Sequence, residues 1–445
     1  MEHGEKVTEV DLLVLGGLVV TGANGPVYSP GYVAVKNDVV VDVGKEKPSG
    51  YTAQKTIDAS GMIILPGLVS THDHMYGVLA HGIPVKSQLN DFWDFLKNFW
   101  WPYVEDRLDK NLIEAAVQYS VCERLKTGTT CVADILEAPN ALPNVLETEA
   151  RLVESLGLRA VLSFEATERI SPENGVQGLE ENKRFIEKMN TRPGLVKGMH
   201  CIHTTFTCSP EFIRRCRAEA DMTGAGIHIH FEEGSFETQQ SLKNYGKYPA
   251  QLYEELGFWR SDVLASQCVK TTSDELDILA KYDVKISHQP LSNGEVGGGI
   301  APVPEMLQRG LTVCLGTDGF IVDMFEVMRN TWLIHKAAKE NTGVMPAETV
   351  FKMATENGAK TLGYRGGRIE KGYKADLVLL HNKFPTPVTP ENVVTQVVVY
   401  ASGSWVDTVV VDGKVVVEKG RLATGNEANI RRNCLKAAEK LWEGL

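Results

Sequence analysis

The chain has 445 residues, of which 43% are hydrophobic and 23% charged, and its net charge is −11. That length exceeds one ordinary domain, and the balance is that of a soluble globular protein with an ample core. RRCR at 214–217 is the one basic tract, too short for a nucleic-acid surface, and no apolar run is long enough to cross a bilayer.

Eight cysteines, at 122, 131, 201, 208, 216, 268, 314 and 434, form no CxxC pair. Several sit inside apolar runs, as Cys314 does in LTVCLG, which suits reduced, buried thiols. The first residues, MEHGEKVTEVDLLVLGG, lack a signal-peptide pattern, so a cytoplasmic location is expected.

Residues 9–66 are rich in Val and Gly in short stretches (DLLVLGGLVVTG, GYVAVKNDVVVDVG, GMIILPG), which reads as strand and turn. The same texture returns in KADLVLL (374–380), TQVVVYASG (395–403) and DTVVVDGKVVVEKGRL (407–422). VVVDGKVVV predicts a hairpin turning at Asp412-Gly413. Residues 1–66 with 370–425 are therefore expected to form one composite β-sandwich, with 426–445 as a terminal amphipathic helix.

Between these ends, eight apolar runs alternate with helix-length stretches: MIILPGLVSTHDH, TGTTCVADI, RAVLSFEAT, GLVKGMHCIHT, GIHIHFEE, DVLASQCV, VKISHQPLSN and LTVCLGTDG. The alternation predicts an α/β fold, a (β/α)8 TIM barrel over 67–369. Most runs end in ionisable or amide residues: His72 and His74, Asp134, Glu165, His203, His230 with Glu233, Gln267, His288 and Asp318. In a barrel these converge on the mouth that carries chemistry. A bland polar loop after each strand explains polarity but not the repeated choice of His, Asp and Glu, the residue types with metal affinity.

On a strand, residues two apart project to the same side, so His72 with His74, and His228 with His230, offer paired imidazoles. One such pair is weak evidence; two, with an aspartate in GTDG, point to a metal centre.

HDH after PGLVS, HIHFEE and LGTDG closely resemble the amidohydrolase superfamily, in the branch of guanine, cytosine and adenosine-derivative deaminases and triazine hydrolases. GTDGFIVDMFEVMR and KADLVLL…PTPVTPENV look closest to the SsnA-like aminohydrolases. The resemblance implies that His72, His74, His230 and Asp318 hold one divalent ion, Zn2+ first and Fe2+ as an alternative, with His228 behind them. It makes Glu233 the proton shuttle, and it implies substrate contacts for His203, Glu105 and His288. Dinuclear relatives use a carbamylated lysine at the end of the fourth strand, and Lys197 lies too early for that role. The implied reaction is metal-dependent hydrolytic deamination of a purine- or pyrimidine-like heterocycle, a small molecule. Relatives are often dimers or tetramers, so a homo-oligomer is expected, with no nucleic-acid or membrane partner.

The sequence departs from the family at Gln267, in LASQCV, where a catalytic histidine is usual. Glutamine donates a hydrogen bond but cannot pass a proton. Ring opening of a cyclic amide, or a degenerate ligand-binding homologue, therefore stand as alternatives. FWDFLKNFWWPY (92–103) is expected to be either a lid over the mouth or a subunit interface, and Phe231, Phe320 and EVGGGI (295–300) are expected to shape the pocket.

Overall fold

The computed structural model describes residues 8–46, 50–84 and 88–445. Both ends of the chain meet in one nine-stranded sheet. Thr8–Val20 pairs antiparallel with Val27–Lys36, and parallel with Tyr51–Asp58 along its first half and Met62–Pro66 along its second. Met62–Pro66 then pairs with Leu377–His381 from the far end of the chain, which continues through Val406–Val411 and Lys414–Glu418 to Arg421–Leu422. Asp412 and Gly413 take φ of 51° and 78° at the predicted hairpin turn, the mirrored geometry that matches strand twist. The terminal helix spans Glu427–Leu441 and packs on the helix Lys110–Lys126.

One valine-rich run departs from expectation. TQVVVYASG reads as strand, yet Val393–Tyr400 is a helix packed on the helices Met324–Lys339 and Ala347–Met353. It buries Val393, Val394, Val397 and Val398, a spacing of one and four that makes a helical stripe. Tertiary contact has overridden β-propensity.

The middle of the chain is mixed α/β, and each of the eight apolar runs holds a strand. The fourth is interrupted at Met199 into Val196–Gly198 and His200–Ile202, so the parallel hydrogen bonding runs in one sheet of four strands and one of five. Two backbone bridges span the seams between these sheets, Ala166 with Ile202 and Asp73 with Asp318. At the second seam the Asp318 N–H donates to the His72 carbonyl at 3.0 Å. Gly316 permits this approach, because a Cβ there would lie 2.8 Å from that carbonyl oxygen. All eight cysteines are buried and free. Among the described residues no helix is long and apolar enough to cross a membrane.

A buried ion pair fixes the strand end that carries the first two histidines. Asp73 stands between His72 and His74 and turns away from them, giving both oxygens to the Arg124 guanidinium of the Lys110–Lys126 helix. Thr317 Oγ1 adds a hydrogen bond to Asp73 Oδ2 at 3.1 Å, tying the eighth strand's end to the first. Removing one partner of such a pair leaves a buried charge uncompensated. Arg124→Met should therefore cost about 3–5 kcal/mol in denaturant unfolding, and adding Asp73→Asn should recover part of the loss. An unchanged unfolding midpoint would show that the pair does not anchor this strand.

Candidate metal centre and active site

His72 and His74 leave the first strand (Leu68–Asp73) on the same side, and His228 and His230 do so on the fifth (Ile227–Phe231). The ligand atoms of His72, His74 and His230 lie within 4.8 Å of one another, and all three side chains are buried. His74 Nε2 is 3.2 Å from His230 Nε2. Asp318 closes the group, with Oδ2 at 3.5 Å from His72 Nε2 and Oδ1 at 3.7 Å from His74 Nε2.

Two of the imidazoles are hydrogen-bonded through their other nitrogen, and the third faces a carboxylate. His74 Nδ1 donates to the Ile135 carbonyl at 2.8 Å, His72 Nδ1 meets His228 Nε2 at 3.2 Å, and His230 Nδ1 lies 3.2 Å from Glu165 Oε1. Anchoring Nδ1 fixes the tautomer and turns the Nε2 lone pair inward, the state in which imidazole binds a metal. Burial lowers the pKa of His72 to about 4 and, with the nearby His74, that of His230 to about 3, so both are neutral near pH 7. Burial opposes the charge on Asp318, but the three histidines outweigh it and hold the carboxyl well below its usual range. A carboxylate and three oriented imidazole nitrogens are a donor set for one zinc-like ion.

Gln267 ends the sixth strand (Val263–Gln267) and donates from Nε2 to Asp318 Oδ2 at 2.7 Å. The Gly319 N–H occupies Asp318 Oδ1 at 2.7 Å. Gln267 and Asp318 take φ of 74° and 60°, left-handed values that cost a side-chain-bearing residue about 1–3 kcal/mol each. That strain aims both side chains back across the mouth rather than along their strands.

In front of the ligands lies a cavity of about 190 Å³. His74, His203, His230, Glu105, Glu165, Glu233 and Asp318 line it. Glu233 is 93% buried and its carboxyl is raised well above the usual range by burial and by the charges of Asp318 and Glu165. His203 rests on Thr207 Oγ1 at 2.9 Å and is kept neutral by burial. Glu105 accepts from the Tyr76 hydroxyl at 2.9 Å. The aromatic stretch 92–103 folds into short helical turns, and Phe92, Phe95, Phe99, Trp100 and Trp101 form a wall of the cavity.

Not every expected residue arrives there. His288 is buried against His335, its Nε2 3.1 Å from His335 Nε2, and is not part of the cavity lining. Phe231 points to the opposite side of its strand from His230 and packs on Trp259, as two-residue alternation dictates; Phe320, Glu295 and Val296 do reach the lining. Lys197 turns outward to the Met189 and Arg192 carbonyls. One lining carboxyl was read only in part and another not at all. Glu165 was visible as a strand-end carboxyl but not as the partner of His230. Glu137, just beyond the second strand (Thr129–Leu136), had no spacing signal.

Residues 63–416 match the amidohydrolase family. The chain is 35% identical to the 5′-deoxyadenosine deaminase of Methanosarcina acetivorans over 416 residues, covering 92% of this chain and 93% of that one. It is likewise 35% identical to the 5-methylthioadenosine/S-adenosylhomocysteine deaminase of Thermococcus sibiricus over 417 residues, covering 92% and 94%. Its fold matches an adenosine deaminase from Xanthomonas campestris crystallised with bound zinc, with a TM-score of 0.87 at 23% identity over 98% of this chain and 99% of that one. The chain belongs to the amidohydrolase family, and it is a hydrolase acting on carbon–nitrogen bonds.

His228 touches only the far side of His72, so its removal tests the anchoring separately from the ligands. His228→Ala should weaken zinc affinity about 10–100-fold in chelator competition. Unchanged affinity would mean that His72 is oriented by packing alone.

Proposed function

We propose that the protein is a metal-dependent aminohydrolase that replaces the exocyclic amino group of an adenosine-like purine with oxygen from water. One observation carries this reading: inward-facing imidazole nitrogens and Asp318 converge on an aromatic-walled cavity into which Glu233 projects with no hydrogen-bond donor among the described residues. The names of the relatives favour a purine nucleoside over a pyrimidine. The two parallel sheets are read as arcs of one closed (β/α)8 barrel over 67–369, supported by the bridges across both seams. The terminal sheet is read as the β-sandwich domain expected over 1–66 and 370–425, with the helix expected over 426–445 as a separate element against the Lys110–Lys126 helix. A cytoplasmic homo-oligomer, dimer or tetramer, belongs to the same proposal.

His72, His74, His230 and Asp318 would hold a single divalent ion, zinc before iron. Such an ion supplies the Lewis acidity that makes water a nucleophile near neutral pH. Glu165, His203 and His230 also come within 4.8 Å of one another, but Glu165 lies at the Nδ1 of His230, whose Nε2 faces His74, which suits Glu165 to orienting His230 and leaves the Nε2 of His203 for substrate. Lys197, facing outward, supports one ion rather than two.

Glu233 takes the proton from water as it adds to the amino-bearing ring carbon and returns it to nitrogen as ammonia departs. Its raised proton affinity suits the second half of that cycle. Asp318 has one hydrogen bond on each oxygen, from Gln267 and Gly319, which holds its carboxylate plane in place. Gln267 thus positions Asp318 and does not relay a proton. His203 can meet a ring nitrogen, Glu105 a ribose hydroxyl, and Trp100 and Trp101 can flank the ring.

With zinc-loaded protein and adenosine, ammonia should appear while the ring stays intact. A new carboxylate would indicate ring opening, and tight binding without turnover would fit the degenerate reading that Gln267 motivates. Glu233→Gln should lower kcat by about 10²–10⁴-fold while leaving bound metal unchanged. Glu233 must be ionised to accept the first proton, so kcat/KM should rise with pH through its raised pKa. The acid limb should then stand above the ordinary carboxylate value of 4.5. A limb at or below that value would remove Glu233 from the base role.

A further inference from the structure

The cavity carries a charge pattern that deamination itself does not require. Glu105, Glu137, Glu165, Glu233, Glu295 and Asp318 line it, and among the described residues no lysine or arginine does. Asp318, Glu233 and Glu165 serve the centre. Glu105 and Glu137 sit together on the cavity wall with Trp101, and Arg169 is bonded to both. Its Nε donates to Glu137 at 2.9 Å, Nη1 to Asp106 at 2.9 Å and Nη2 to Glu105 at 3.4 Å, while its guanidinium covers the Trp101 ring at 4.8 Å. Each nitrogen of Arg169 is thus already bonded to a carboxylate, which offsets its charge.

Glu137 is 98% buried, and its second oxygen, Oε2, meets no N–H or O–H donor among the described residues. Burial raises the pKa of both Glu105 and Glu137; Glu137 raises that of Glu105 further, whereas Glu105, hydrogen-bonded to it, lowers that of Glu137, so a shared proton rests on Glu105 and Glu137 is the carboxylate. An entering ammonium or hydroxyl group would relieve this crowding of acceptors. An entering carboxylate or phosphate would add to it and find no donor.

We propose that Glu137, with Glu105, is a specificity-determining pair. It selects purines whose substituent carries ammonium or hydroxyl donors, ammonium most tightly, and rejects those carrying an anionic group. The proposal rests on the deaminase reading above and narrows its substrate class. It would set this chain apart from a protein acting on S-adenosylhomocysteine only through the carboxylate of that substrate's tail, since the same tail also carries an ammonium.

The test compares adenosine, 5′-amino-5′-deoxyadenosine and adenosine 5′-carboxylic acid on the zinc-loaded protein. Binding is read by tryptophan fluorescence, and ammonia release is measured separately. The amino analogue should bind at least as tightly as adenosine, and the carboxylate about 100-fold more weakly. Glu137→Gln, which keeps the shape, should narrow the gap between the amino and carboxylate analogues by about tenfold or more. A carboxylate analogue that binds as well as the others overturns the proposal, as does an unaltered gap in Glu137→Gln, which would make the exclusion steric. Charge-ordered binding without ammonia release would sink the deaminase reading and leave the selection standing. Ammonia release without charge order would do the reverse, and failure of all three to bind would sink both.

Discussion

Three imidazoles with ligand atoms within 4.8 Å of one another and a carboxylate beside them, all buried, form an arrangement that a protein interior tolerates only with strong compensation. Here much of the surroundings is arranged to keep it. Ile135, His228 and Glu165 each meet the Nδ1 of one histidine. Gln267 and Gly319 hold the two oxygens of Asp318. The Arg124–Asp73 pair and Thr317 lock the strand ends from which His72, His74 and Asp318 project. Donors held this way do not reorganise to receive a cation, which favours affinity and defined geometry.

The centre also sets the electrostatics of the cavity. His72 and His230 stay neutral because they are buried, and Asp318 stays ionised because histidines surround it. Glu233 is pushed the other way by burial and by the charges of Asp318 and Glu165, and it meets no donor among the described residues. Carboxyl groups separated in proton affinity by their surroundings are what acid–base chemistry at one site requires.

Much of this was legible in the sequence because the information is local. Strand-end histidines two residues apart, the HFEE run and the GTDG turn each declare a residue type at a position where strand geometry dictates direction. The helix at Val393–Tyr400 was not legible, because valine propensity points to strand and only packing against two other helices decides. His288 looked equivalent to the other strand-end histidines, but its partner, His335, lies 47 residues away on a helix. Glu137 and Arg169 were hidden for the same reason, their meaning residing in a contact between separate loops. Gln267 was found as a departure from the family pattern, but its bond to Asp318 and its left-handed backbone emerge only in three dimensions.

The account stands or falls on where a cation sits. Crystals of zinc-reconstituted protein, measured across the zinc absorption edge, should give one anomalous peak per chain, about 2.0–2.2 Å from the Nε2 atoms of His72, His74 and His230 and an oxygen of Asp318. A peak among Glu165, His203 and the outer face of His230, or none at full zinc occupancy in solution, would contradict it.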